Sequence, residues 1–226
     1  MWRVDFETVS VAFTDRVGGV SVAPYDSLNV GTFTGDDAAS VASNIEIVRK
    51  SLGLERLHWC NQVHGSKLHD ADDDQAPGSV TADGLFTKRR LHGVCVTVAD
   101  CLPVALAGHE SAMMLHCGWR GLAAGLINEG VRAFGDDQPC AAIGPGVCAE
   151  DYEVGEEVIE SLGSAGRSAY EDGHLNLRAV ARAQLQAAGV ETIECVNVCT
   201  FGERDLLFSY RRDGETGRQA GVAWLR

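Results

Sequence analysis

A mixed α and β fold, α/β or α+β, is what this 226-residue sequence predicts. Strand-like alternation and helical spacing are interleaved along the chain rather than segregated into separate stretches. No repeat, proline-rich linker or long charge run divides it, so one domain spanning 1–226 is expected. A hydrophobic content of 45% against 23% charged residues is the balance of a packed core and excludes low-complexity disorder.

Val9, Val11 and Phe13 alternate with small or polar residues as a strand does, and Asp15-Arg16-Val17-Gly18-Gly19 then breaks the pattern, leaving Arg16 at a strand end. Val41, Ile45, Val48 and Leu52 recur at helical spacing behind Asp36 and Asp37, which are N-cap residues by type, and Gly53 closes the helix. Asp70–Asp74, with Pro77 and Gly78 soon after, reads as a solvated loop. Val94–Val98 is a strand, followed by a turn at Ala99-Asp100-Cys101-Leu102-Pro103, where proline discourages a regular ladder. Apolar Met113-Met114-Leu115 forms a strand that ends on His116. A Gly118-Trp119-Arg120-Gly121 turn then leads into a helix over 122–134 striped by Leu122, Leu126, Ile127, Val131 and Phe134. Further elements are a strand at Ala141–Ile143, helices near 153–162 and 176–188, strands near 192–198 and 205–210, and a closing strand at Val222–Leu225.

With 19 basic and 32 acidic residues the net charge is −13, which repels a phosphodiester backbone and speaks against a nucleic-acid partner. The opening MWRVDFETVSVAF is acidic where a secretion signal needs a basic head, and no segment approaches the roughly 20 apolar residues of a membrane span. A cytoplasmic protein with no membrane partner is the expectation. The eight cysteines are then expected as free thiols, mostly small buried hydrophobes, unless neighbours single one out as a ligand.

Three segments place a metal-competent side chain beside turn-forming residues: Gln62-Val63-His64-Gly65, Asp100-Cys101-Leu102-Pro103, and His116-Cys117-Gly118-Trp119-Arg120-Gly121. No Cys-x-x-Cys pair occurs, so a metal here would be assembled from distant segments. Spacing alone assigns nothing, because a lone histidine is more often a surface or satisfied core residue.

Thr14-Asp15-Arg16-Val17-Gly18-Gly19-Val20-Ser21, Ser27-Leu28-Asn29-Val30-Gly31, Gln62-Val63-His64-Gly65, Ala82-Asp83-Gly84, Ala99-Asp100-Cys101-Leu102-Pro103-Val104, His116-Cys117-Gly118-Trp119-Arg120-Gly121-Leu122, Ala142-Ile143-Gly144-Pro145, Tyr152-Glu153-Val154-Gly155 and Ser209-Tyr210-Arg211-Arg212-Asp213 together resemble the polyphenol oxidase (laccase-domain) family, in the family's order. That family is described mainly as zinc-dependent purine nucleoside phosphorylases, and some bacterial members as peptidoglycan-editing factors. The resemblance implies layered mixed β-sheets with helices packed outside. It also places the family's zinc ligands on His64, Cys101 and His116. Two imidazoles and a thiolate suit tetrahedral zinc, and three protein ligands leave a fourth position for a reactant.

Rival readings use the same residues. A blue-copper site adds a weak axial ligand such as methionine, whereas Met113 and Met114 read as strand core. A multicopper laccase needs more imidazoles than the seven histidines present, even counting His58, His69, His92, His109 and His174. A metal-free hydrolase with Cys101 as nucleophile and His116 as base leaves His64 without a role. Around the triad, the resemblance puts Arg16 and Asn29 in the pocket region, with chemistry suited to phosphate and to ribose hydroxyls respectively; Arg16 otherwise pairs with Asp15 or another surface carboxylate. Arg120, at a helix start, and Arg211 are further anion-binding candidates, the alternative for Arg211 being an ion pair with Asp213 or Asp205. Asp100 is a candidate general acid or base beside Cys101, or a turn cap; for Asp83 the turn role is favoured. Trp119 either stacks on a purine or packs in the core.

The expected function is phosphorolysis of purine nucleosides such as adenosine, inosine or 5′-methylthioadenosine, with small-molecule nucleoside and phosphate as partners, zinc as cofactor, and adenosine deamination as an added activity. The alternative implied by the family is an editing amidase acting on UDP-linked muramyl amino acid precursors. A third class, a non-catalytic zinc or nucleotide binder, is disfavoured by the open fourth ligand position.

Overall fold

Strands that are buried on both faces dominate the chain, and they have to stack between other layers to stay dry. The computed structural model describes residues 1–73 and 75–226, so Asp74 of the acidic run lies outside the described residues. The elements are β1 (Trp2–Asp5), β2 (Val9–Phe13), α1 (Ala38–Ser51), β3 (Arg56–His58), β4 (Leu68–Asp70), β5 (Gly84–Thr87), β6 (His92–Val98), β7 (Leu102–Ala107), β8 (Ala112–Cys117), α2 (Trp119–Ala123), α3 (Leu126–Arg132), β9 (Cys140–Ile143), α4 (Glu156–Ser168), β10 (Tyr170–Glu171), β11 (His174–Leu175), α5 (Leu177–Ala187), β12 (Ile193–Cys195), α6 (Tyr210–Asp213) and β13 (Gln219–Leu225). One sheet runs β1-β2-β13-β6-β3 and a second runs β12-β9-β7-β8-β5-β4, each with parallel and antiparallel pairs. This is the layered α+β arrangement that the resemblance implies.

The period-two alternation of each strand builds three apolar layers. Val9, Val11, Phe13, Val94, Val96, Val98, Ala105 and Met114 fill the space between the sheets. The opposite faces of β7 and β8, with Leu102, Val104, Leu106, Met113 and Leu115, pack against Leu126 and Ile127 of α3, Ile159 of α4 and Val180 and Leu185 of α5. On the far side, Val48 of α1 and Leu52 at its C-cap cover Cys95, Val222 and Trp224. Asp37 caps α1 by accepting a hydrogen bond from the Ser40 N–H at 2.8 Å, and Gly53 leaves the helix at φ +68°.

Several expected elements differ. The helix expected over 122–134 starts earlier, at Trp119, and is split into α2 and α3 because Gly125 adopts φ +82°. Residues 205–210 form no strand: only Leu207, Phe208 and Ser209 are buried, and the Gln219 side chain takes the place of a partner strand, its Oε1 accepting from the Phe208 N–H and its Nε2 donating to the Phe208 carbonyl. The helix near 153–162 lies instead at Glu156–Ser168, and only Ile193–Cys195 of 192–198 is strand. Part of the acidic run is anchored rather than loose, since Asp72 accepts from the Thr87 hydroxyl and the Lys88 N–H. The all-thiol expectation is corrected at one pair. Cys148 and Cys199 form a disulfide with Cα atoms 5.2 Å apart, because the fold brings two loops 51 residues apart in sequence side by side.

Two outcomes follow from these contacts. Closing a loop of that length restricts the unfolded chain, so Cys199→Ser, or reduction, lowers stability by about 4 kcal/mol at most. Urea unfolding with and without reductant reads this, and an unmoved midpoint argues that the cross-link is absent. His58 and His92 stack as a buried pair with ring nitrogens 3.2 Å apart. Burial, and then the neighbouring His92, depress the His58 pKa from 6.5 to about 4. Its neutral form therefore stabilises the fold fully above about 6.5, and that contribution is lost as pH falls towards about 4, where the unfolded chain takes up the proton first. In His58→Phe the pH dependence of stability in that window should flatten.

Candidate active site

Two chain crossings between the sheets supply two of the three donors. The chain leaves β3 in one sheet and enters β4 in the other through the segment holding Gln62–Gly65; it does the same between β6 and β7 through Ala99-Asp100-Cys101. His116, on β8 and paired with Pro103, supplies the third from the second sheet. The ligand atoms of His64, Cys101 and His116 all lie within 4.8 Å of one another, and the two imidazole centroids are 4.7 Å apart. His116 is buried, Cys101 half-buried and His64 exposed. The group therefore has a protein side and an open side.

Local chemistry explains how each donor is held. Asp83 has no solvent exposure, and its carboxylate accepts from His116 Nδ1 at 2.9 Å, the His64 N–H at 2.8 Å and the Gly65 N–H at 2.7 Å. Burial works against its charge, but His116 and the loop amides outweigh that and lower its pKa. With Nδ1 committed to Asp83, His116 has Nε2 left for a ligand. Gly118 is the other constraint, because a Cβ there would stand 2.8 Å from Cys101 Sγ and 3.2 Å from His64 Cδ2. A side chain would push the donors apart. Burial opposes the Cys101 thiolate, yet His116 and His64 overcome it and bring the thiol down to about 6. Burial likewise opposes the His116 imidazolium, and the Cys101 and Asp83 charges raise it to about 9. The two shifts favour opposite charges on Cys101 and His116, and two imidazoles with a thiolate are a donor set into which a zinc-like cation fits.

The open side faces a cavity of about 730 Å³, a size suited to a small molecule. Phe33, Tyr152, Leu177 and Tyr210 give it aromatic and apolar walls, and Arg211 and Arg218 bring positive charge. Arg211 lies over the Tyr152 ring and donates from Nη2 to the Glu153 carbonyl. Asp100 adjoins the triad, but both its carboxylate oxygens are engaged, one by the Thr200 hydroxyl and one by the Arg211 N–H, each at 2.6 Å. These bonds hold it at φ +96° and tie three loops together.

The remaining sequence candidates are used elsewhere. Arg16 donates to the carbonyls of Asp26 and Arg204, pairs with the Asp26 carboxylate rather than Asp15, and lies 4.6 Å over Phe208. Asn29 is fully buried, donating to Thr34 and Asp36 and accepting from the Gly31 and Arg218 N–H groups. Arg120 stacks on Trp119 from an exposed position, and Trp119 packs against the helix-side core. None of these four lines the cavity. Helix α2 is too short at five residues to aim an appreciable dipole there. Conversely, Arg218 and Phe33 line the cavity although no sequence motif flagged them, and Asp83, read first as a turn residue, both caps the His64 turn and orients His116. Gln62 lay inside a recognised motif, and its amide locks the cavity wall through Thr97.

Residues 10–226 match the sequence profile of a family described as multi-copper polyphenol oxidoreductase laccase. The chain belongs to that laccase family. It is 40% identical over 228 residues to a purine nucleoside phosphorylase of Streptomyces coelicolor, covering 94% of each chain. It is 36% identical over 242 residues to a purine nucleoside phosphorylase of Escherichia coli, covering 96% of this chain and 94% of that one. A Neisseria meningitidis protein of solved structure superposes with a TM-score of 0.92 at 34% identity, covering 99% of this chain and 98% of the other. The multi-copper description of the family does not match the donors of this member. Among the described residues only one group of three or more metal donors contains histidine, and a second, Cys148, Asp151 and Cys199, has its two sulfurs bonded to each other.

Replacing Asp83 tests the geometry of the donors. Asp83→Asn should lower zinc affinity by about 10- to 100-fold in a competitive titration, because its amide presents N–H to groups that themselves donate. Undiminished affinity would show that the carboxylate does not set the site.

Proposed function

We propose that this chain is a zinc-dependent purine nucleoside phosphorylase acting on adenosine, inosine and 5′-methylthioadenosine, with adenosine deamination as a second activity of the same site. One observation carries the reading: a His-Cys-His group opens onto a cavity whose walls are aromatic and whose cations are arginines. The names of the relatives point the same way. His64, Cys101 and His116 would hold the zinc. When bound, zinc supplies Lewis acidity to an oxygen ligand, be it phosphate or water.

The chain's own residues do the rest. Arg211 and Arg218 draw phosphate into a protein whose overall charge of −13 would repel it. Phe33, Tyr152 and Tyr210 offer flat apolar surface to the purine. Burial raises the Tyr152 phenol above its ordinary range, so it stays protonated and able to donate. In the reaction a phosphate oxygen bonds to the anomeric carbon as the carbon–nitrogen bond breaks, the electron pair of that bond leaving with the purine, which takes up a proton equivalent to the one hydrogen phosphate gives up. Holding both reactants side by side in one cavity lowers the barrier by sparing their encounter.

Purified protein should contain about one zinc per chain, and Cys101→Ala should lose both the metal and phosphate-dependent release of hypoxanthine from inosine while keeping its circular dichroism. Unchanged turnover in that variant would overturn the assignment. Ammonia release from adenosine tests the deaminase activity. Cleavage of a serine-linked muramyl precursor, with no action on nucleosides, would point to precursor editing instead.

A further inference from the structure

The guanidinium of Arg218 is half free. Nη1 donates to the carbonyls of Thr216 and Gly217 at 2.9 and 2.8 Å, whereas among the described residues Nε and Nη2 have no protein acceptor. No carboxylate lies within 4.0 Å of it among the described residues, although burial depresses its pKa and a carboxylate would relieve that cost. By contrast, Arg16, Arg204 and Arg212 are all ion-paired. Its ring neighbours are Phe33 at 5.4 Å and Tyr210 at 5.7 Å, which limit the sweep of the side chain. Its backbone is also held. The Asn29 Oδ1 accepts from both the Gly31 and Arg218 N–H groups, tying the start of β13 to the loop that carries Phe33. A planar cation that lines the cavity, with Nη1 anchored and the Nε–Nη2 edge without a protein acceptor among the described residues, is suited to two parallel hydrogen bonds with one oxyanion.

We infer that the free Nε–Nη2 edge of Arg218 is the binding site for the phosphoryl oxyanion, taken from inorganic phosphate. This rests on the phosphorylase reading for the source of the anion but not for the geometry. Arg211 is the weaker candidate for this role, because its own Nη2 is spent on the Glu153 carbonyl and its side chain lies at an exposed position. Asn29, which the resemblance put in the pocket region with chemistry suited to ribose hydroxyls, acts through Arg218 instead, as a positioning residue. The ligand chemistry, a tetrahedral oxyanion with at least two free oxygens, is shared by inorganic phosphate and a nucleoside monophosphate, and the two are separable by experiment.

Two measurements test this on the full chain, one of which requires no turnover. In a thermal-shift titration inorganic phosphate should raise the melting temperature of the unaltered protein, and Arg218→Gln should weaken that binding by about 10- to 100-fold, the loss expected for charge-assisted hydrogen bonds. Arg218→Lys keeps the charge without the fork and should fall between them. In inosine phosphorolysis the KM for phosphate should rise by a similar factor in Arg218→Gln while the KM for inosine changes far less. An unaltered phosphate affinity in a folded Arg218→Gln protein overturns the inference even if phosphorolysis stands. Arg218-dependent binding of adenosine monophosphate but not of inorganic phosphate overturns it too. If the unaltered protein binds phosphate through Arg218 yet turns over no nucleoside, the site survives and the phosphorylase reading falls.

Discussion

A single buried carboxylate holds the candidate site together. Asp83 reaches three backbone N–H groups of the His64 turn and the Nδ1 of His116, so one anion fixes the conformation of a loop and the orientation of a strand residue at once. A carboxylate without solvent is costly, and here the cost is offset by donors that have no other acceptor. The same interaction fixes which nitrogen of His116 faces the other donors. The positive φ of His64 at 60° is tolerated because the amides on both sides of it are tied down.

The architecture places that carboxylate where it can act. Because the chain passes from one sheet to the other at 59–67 and again at 99–101, both crossings bring irregular backbone to the end of the sheet interface, next to the end of β8. The sheets themselves are packed with side chains that interdigitate, so the frame is stiff where the loops are not regular. Gly118 closes the arrangement by leaving room for the sulfur and imidazole that approach it. Asp100 performs an analogous task on the other wall, joining Thr200 and Arg211 through its side chain and Val147 through its carbonyl. The disulfide between Cys148 and Cys199 secures the same pair of loops covalently.

Charge is distributed unevenly between roles. Arg16, Arg204 and Arg212 are absorbed into ion pairs or carbonyl contacts that pin the 200–213 segment, while Arg211 and Arg218 keep part of their hydrogen-bonding capacity facing the cavity. In a strongly acidic protein such cations, without an ion pair among the described residues, make a local attraction for anions that the surface as a whole lacks. No helix among the described residues is long and apolar enough to cross a membrane.

The strands β2, β6, β8 and β13 and the helices α1 and α5 were legible from local patterning, because burial of one face or both imposes a period that survives in one dimension. The metal-competent residues were legible as chemistry beside turns, and the family resemblance joined them. What a linear reading could not supply was partnership. Whether Arg16 binds a ligand or Asp26, whether Asn29 faces ribose or the Arg218 amide, and whether Cys148 stays a thiol depend on residues far away in sequence. Asp83 looked like a turn residue because its His116 contact spans 33 positions, and residues 205–210 form no strand because the partner is the Gln219 side chain, 11 positions beyond Phe208. Local sequence determines periodicity and donor type, since both are properties of neighbouring residues; convergence in space belongs to the tertiary fold, since it is set by which layers pack and where the chain crosses between them.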